Sequence, residues 1–150
     1  MFGKKKSKIL PYPQYGFWQT DNYDGFEKFY LSTNGYEPIQ KGLESIRILN
    51  PNYKTAPPSE RYYFDLRGKA VTLVHYRKNI LQVYVGNSHV ATLFIDQPDE
   101  MDFLKRLIDG KISQVHLDIK YDPIIYFEKK PLRKQKTIIE DGYKAFLYVK

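Results

Sequence analysis

Three histidines, His75, His89 and His116, and no cysteine bound the metal and nucleophile chemistry open to this chain of 150 residues. Without cysteine there is no disulfide, no thiolate ligand and no thiol nucleophile, a composition compatible with a reducing cytosol. Strand alternation across VHYRKNILQVYVGNSHV puts His75 and His89 on one sheet face but four residues apart along the strand direction. At about 3.3 Å per residue that is about 13 Å, too far to share a metal ion. His116 has no second ligand in HxH or HExxH spacing, and the chain contains no GxSxG, GxxxxGK[ST] or GxGxxG. Asp96, Asp99, Glu100 and Asp102 gather at a predicted helix start, where the dipole favours carboxylates without any acid–base role. The expectation is a non-catalytic protein with no cofactor and no metal.

Charge and aromatic side chains point to binding instead. The net charge is +7, and of the 24 Lys and Arg nine lie in two runs. Lys4, Lys5, Lys6 and Lys8 form the first, and Lys129, Lys130, Arg133, Lys134 and Lys136 the second, within KKPLRKQK. The rest of the chain holds fifteen bases against 17 acids, so the basicity is local. Such runs attract polyanions, or serve as solvated connectors. Aromatic residues make up 16% of the chain, with fourteen Tyr; a tyrosine ring packs while its hydroxyl stays wet, which suits both sheets and binding surfaces.

These side chains need a sheet to position them. Ala70 to Tyr76, Ile80 to Val85 and His89 to Ile95 read as an antiparallel meander joined by Arg77-Lys78-Asn79 and Gly86-Asn87-Ser88. Pairing Tyr76 with Ile80 and Val85 with His89 brings His75 opposite Leu81, and Leu81 opposite Leu93. One face then carries Val71, Leu73, Leu81, Val83, Val85, Ala91, Leu93 and Ile95, with His75 and His89 at its ends. The other carries Thr72, Val74, Tyr76, Ile80, Gln82, Tyr84, Val90, Thr92 and Phe94, with Arg77 and Lys78 at the rim. Rings interleaved with small polar groups and cations can stack bases while holding phosphates; the competing reading is that these rings pack beneath another layer, such as the C-terminal hairpin.

Around the meander, residues 1 to 22 read as a basic, aromatic arm too rich in Pro and Gly for regular structure, and 23 to 150 as one domain. Phe26 to Leu31 is a first strand, Asn34-Gly35 a turn, and Pro38 to Ser45 a short helix weakened by Gly42. Asn50 to Ser59 is a loop between short strands near Ile46 to Leu49 and Arg61 to Leu66. Gln97 to Asp109 is the main helix, capped by Asp96, with Met101, Phe103, Leu104, Leu107 and Ile108 inward. Strands follow at Gln114 to Ile119, Ile124 to Phe127, Thr137 to Glu140 and Tyr143 to Val149, the last two forming a hairpin about Asp141-Gly142. The fold class is α+β, mainly β: an antiparallel, barrel-like or strongly bent sheet with one main helix.

The order of elements in AVTLVHY…ILQVYVGNSHVATLFIDQPDEMDFLKRLIDGKISQVHLDI, residues 70 to 119, resembles the HIRAN domain, in which a strand is followed by a hairpin, a helix and a terminating Gly. The family's Asn-Pro-Tyr-Asp signature is absent; His75 to Leu81 stands in its place, with Asn79 alone in a comparable role. The resemblance implies a barrel-like binding module for DNA ends and no catalytic residue.

The functional expectation is a nucleic-acid-binding module for single strands or ends, using Tyr76, Arg77, Lys78, Tyr84 and Phe94 with the basic run 129 to 136. The alternatives are a protein-interaction domain of a mobile element or assembly, and peripheral membrane attachment through MFGKKKSK. The basic N-terminus lacks the apolar stretch of a signal peptide and no window is long enough for a membrane helix, so the expected location is cytoplasmic.

Overall fold

The computed structural model describes the backbone of residues 8 to 16 and, in full, residues 22 to 128 and 136 to 150. In chain order the elements are β1 (Lys8–Gly16), β2 (Glu27–Leu31), α1 (Glu37–Ile46), β3 (Ile48–Leu49), a 3-10 turn (Pro58–Glu60), β4 (Tyr62–Tyr63), β5 (Ala70–Arg77), β6 (Ile80–Val85), β7 (Ser88–Phe94), α2 (Pro98–Ile108), β8 (Val115–Tyr121), β9 (Ile124–Glu128), β10 (Lys136–Glu140) and β11 (Tyr143–Val149). The fold is mainly β, as expected, with a short helix, α1, and the main helix, α2, at the two places where helices were expected. No helix among the described residues is long and apolar enough to cross a membrane.

Two antiparallel sheets enclose the core: β1-β5-β6-β7 and β2-β11-β8. Alternation in β5, β6 and β7 turns Val71, Leu73, Leu81, Val83, Val85, Ala91 and Leu93 inward, where they meet Val115, Leu117, Ile119, Ala145, Leu147 and Val149 from the second sheet. Each fully buried Leu or Val contributes about 1.5 to 3 kcal/mol relative to exposure. At one side the sheets are joined by a bridge in which Ser32 and Thr92 exchange backbone hydrogen bonds of 2.8 and 2.9 Å. No sheet closes into a barrel among the described residues.

The helices complete the core. In α2 the Glu100 carboxylate accepts from the amides of Asp96 and Gln97, so the N-cap is Gln97 rather than Asp96. Phe103, Leu104 and Leu107 are buried, with Phe103 stacked 4.9 Å from Phe29. Met101, expected inward, is exposed because it lies off that stripe. Helix α1 runs one residue beyond its expected span at each end and crosses β7. A Cβ at Gly42 would stand 2.0 Å from the His89 carbonyl oxygen, so the glycine that weakens the helix permits this close crossing.

Three further expectations are corrected. The expected arm is in part a strand: the backbone of β1 pairs with β5, with a register shift between Ile9 and Gln14. That shift spans Pro11 and Pro13, which lack the amide a ladder needs and are tolerated on an edge strand. Asp141-Gly142 is not a hairpin tip, because β10 pairs with β9 while β11 pairs with β8 and β2. Strands β9 and β10 instead continue the β8–β11 pair past a break where the Asp122 amide donates to the Gly142 carbonyl at 2.8 Å. A Cβ at Gly142 would lie 2.4 Å from the Asp122 carbonyl oxygen, so close backbone approach, not a tight turn, requires glycine there. The loops of the meander are two residues long, since Arg77 pairs with Ile80 and Val85 with Ser88.

A candidate nucleic-acid interface

A bulge lies next to each short loop, before the first and after the second, and the bulges decide which side chains share a face. In β7 the partners run Val83 with Ala91, then Tyr84 with His89, leaving Val90 as the extra residue. Val90 and Ala91 are both fully buried. Val90 therefore leaves the outer face where alternation placed it, and His89 leaves the core face to join Tyr84. Their rings stack with centroids 4.8 Å apart and planes 19° from parallel. In β5 the same device makes Tyr76 the extra residue and brings Arg77 opposite Ile80. The Arg77 guanidinium lies 5.2 Å from the centre of the Tyr76 ring.

This face is a groove of about 490 Å³, walled by Tyr76, Ile80, Tyr84 and Phe94 on the meander and by Tyr36 and Ile39 at the start of α1. Ser32, Asn34, Gln82 and Thr92 place hydroxyl and amide groups among the rings. Tyr36 presents its edge to His89 at 5.8 Å, and Tyr36 and Phe94 are each about half exposed. Past His89 the groove widens into a hollow of about 710 Å³ reaching Lys41, Asn87 and Ser88. Arg77 and Lys78 are exposed at the other end.

The His89 imidazole is 8% exposed, and its Nε2 lies 3.0 Å from the Ala91 carbonyl oxygen. A carbonyl only accepts, so Nε2 carries the hydrogen. Burial holds His89 below its ordinary range, against the opposing pull of that hydrogen bond. The ring is thus neutral near pH 7 and adds aromatic surface to the groove rather than charge. Tyr84 is pushed up by burial and by the neighbouring Tyr36 hydroxyl, so it stays a phenol. A slot with flat aromatic walls and amide groups between them fits a planar ring with a hydrogen-bonding edge.

Of the expected site residues, the structure brings Tyr76, Tyr84 and Phe94 together in the groove; Arg77 and Lys78, exposed next to Tyr76 in sequence, do not line it. Lys129, Lys130, Arg133 and Lys134 lie outside the described residues. Lys136 stands at the end of β10 remote from Asp141, paired with Glu128. Asp141 holds Arg47, just beyond the C-terminal end of α1, at 2.7 Å, whereas the groove lies at the helix's N-terminal end. Lys136 does not line the groove. Tyr36, His89, Asn34 and Ser32 were not expected there; Asn34-Gly35 was legible as a turn, but nothing in the sequence places that turn beside Phe94.

The base of the β9–β10 ribbon is tied down by a polar cluster. Arg47 donates to Asp141 at 2.7 Å and to the Tyr143 hydroxyl at 2.6 Å, and Tyr121 donates to Asp141 at 2.6 Å. Burial pulls the Asp141 carboxyl upward, but Tyr121 and Arg47 outweigh it and hold the group below its usual range. Beyond this anchor the ribbon exposes Ile124, Ile125, Tyr126, Phe127 and Ile139. His116, turned away from the apolar face as expected, is nevertheless buried beneath Tyr23 and Phe26. No group of three or more side chains able to hold a metal ion occurs among the described residues. Comparisons with protein families, with curated proteins and with solved structures found no match to this chain.

Proposed function

We propose that this protein is a non-catalytic nucleic-acid-binding module that holds single-stranded or frayed ends in the groove between the meander and α1. The observation that carries this reading is the groove's composition: Tyr84 stacked on a neutral His89, with half-exposed Tyr36 and Phe94 facing amide and hydroxyl groups. Base–aromatic stacking contributes about 1 to 3 kcal/mol per base and tolerates any sequence. In this reading Arg77 and Lys78, exposed beside Tyr76, meet phosphates, and the basic runs of the sequence add long-range attraction. The likeness of residues 70 to 119 to the HIRAN domain supports DNA ends as one form of the ligand. The test is a fluorescence titration with a single-stranded oligonucleotide: affinity should fall steeply between about 50 and 200 mM salt. A flat response removes phosphate contacts from the account.

A second reading, a protein-interaction domain, is favoured by one observation, the β9–β10 ribbon. A two-stranded ribbon with large apolar side chains exposed on both faces gains stability when something covers it. Ile125→Ser with Phe127→Ser should then abolish association with a protein partner or a second copy, read by light scattering, while oligonucleotide affinity stays unchanged.

A further inference from the structure

We infer that the nucleic-acid track does not end at Phe94 but crosses the Ser32–Thr92 bridge onto the outer face of β2-β11-β8, where Tyr30 and Phe146 form a second stacking step. The inference rests on the proposed reading of the groove. Three observations carry it. First, the groove walled by Phe94 and a neighbouring hollow of about 380 Å³ share Ser32 and Asn34, so they meet at the bridge. Second, register aligns the rings. Ser32 opposes Thr92 in an antiparallel bridge, so Tyr30 and Phe94, two residues further along each strand by alternation, are directed to the same side as Ser32 and Thr92. Tyr30 in turn opposes Phe146, and their rings meet edge to face at 5.1 Å. Tyr30 is 72% exposed, more than a purely structural ring would need.

Third, the charge is of the right sign. Lys28 lies 4.3 Å from the Phe146 ring centre and 5.1 Å from that of Tyr30, with no ion pair among the described residues. An ammonium held at the edge of a stacking platform can contact the phosphate that links two stacked bases. Lys144 and Lys120 border the same face, each near a carboxylate, Asp122 at 3.4 Å and Asp118 at 3.8 Å. Both lysines are exposed, so these pairs hold them weakly and leave them able to turn to a phosphate.

The test uses the full chain and two oligothymidylates, one of about three and one of about twelve nucleotides. Tyr30→Ala and Lys28→Gln should each weaken binding of the longer strand by about fivefold or more, as loss of one stacking or phosphate contact requires, and leave the shorter strand unaffected. Tyr84→Ala should weaken both. Wild-type affinity of Tyr30→Ala and Lys28→Gln for both lengths, with Tyr84→Ala impaired, overturns the extended track and leaves the groove standing. Wild-type affinity of all three variants overturns the groove and the track together. Far-ultraviolet circular dichroism checks that each variant is folded; because Tyr30 and Lys28 are exposed, neither substitution opens the core.

Discussion

The imidazole of His89 lies against the ring of Tyr84, 4.8 Å centre to centre, although strict alternation from Ala91 puts the two on opposite faces of the sheet. The extra residue Val90 brings them together, and the groove is built around this pair. Replacing either ring by alanine should lower oligonucleotide affinity by about 1 to 3 kcal/mol, roughly five- to 150-fold. Anisotropy titration measures the loss, and a thermal melt of each variant separates it from misfolding.

The pH dependence of folding follows from the same burial. His89 titrates below its ordinary value of 6.5 in the folded protein, so the unfolded chain takes up the proton first. Its contribution to stability is complete above pH 6.5 and is lost as pH falls from there through the folded value. Urea unfolding at pH 7.5 and 5.5 should show a decrease for the native chain that is smaller in His89→Gln.

Gly42 tests the crossing of α1 over β7. Alanine is the better helix former by about 1 kcal/mol, yet its Cβ would meet the His89 carbonyl oxygen at 2.0 Å. Gly42→Ala should therefore destabilise the fold by about 1 to 3 kcal/mol, the usual cost of overpacking. It should also weaken ligand binding, because the helix start that carries Tyr36 moves with it. Denaturant midpoints and titrations of one preparation check both.

Asp141 secures the ribbon. Tyr121 and Arg47 hold its carboxyl below 3.8 in the folded state, so its contribution is full above that value and is lost as pH falls through the folded value. The Asp141 side chain is 38% exposed, and screening keeps the effect modest. Asp141→Asn should cost about 1 kcal/mol at neutral pH, read as a lower melting temperature, with no change in oligonucleotide affinity because the groove lies at the other end of α1.

Much of the meander was legible because alternation reports burial directly. Val71, Leu73, Leu81, Val83, Val85, Ala91 and Leu93 all point inward as their spacing predicts, and Tyr84, Gln82, Thr92 and Phe94 share a face for the same reason. What alternation misses is an extra residue. Val90 and Tyr76 carry no mark of a bulge, and each shifts its neighbour by one face, which is how His89 and Arg77 change position. Asp141-Gly142 misled in a different way: a strong local turn signal lost to the pairing of β9 with β10 and, outside that ribbon, of β8 with β11. The Ser32–Thr92 bridge, which sets Tyr36 and Asn34 beside Phe94, is a contact across sixty residues with no local signature.

The most direct test of the account is to map the ligand onto the protein. Titrating isotopically labelled protein with a short single-stranded oligonucleotide and following its amide signals should perturb Tyr36, Gln82, Tyr84, His89 and Phe94 first, at the lowest ligand ratios. Perturbations confined to the β9–β10 ribbon, or none at saturating oligonucleotide, would contradict the groove as the binding site.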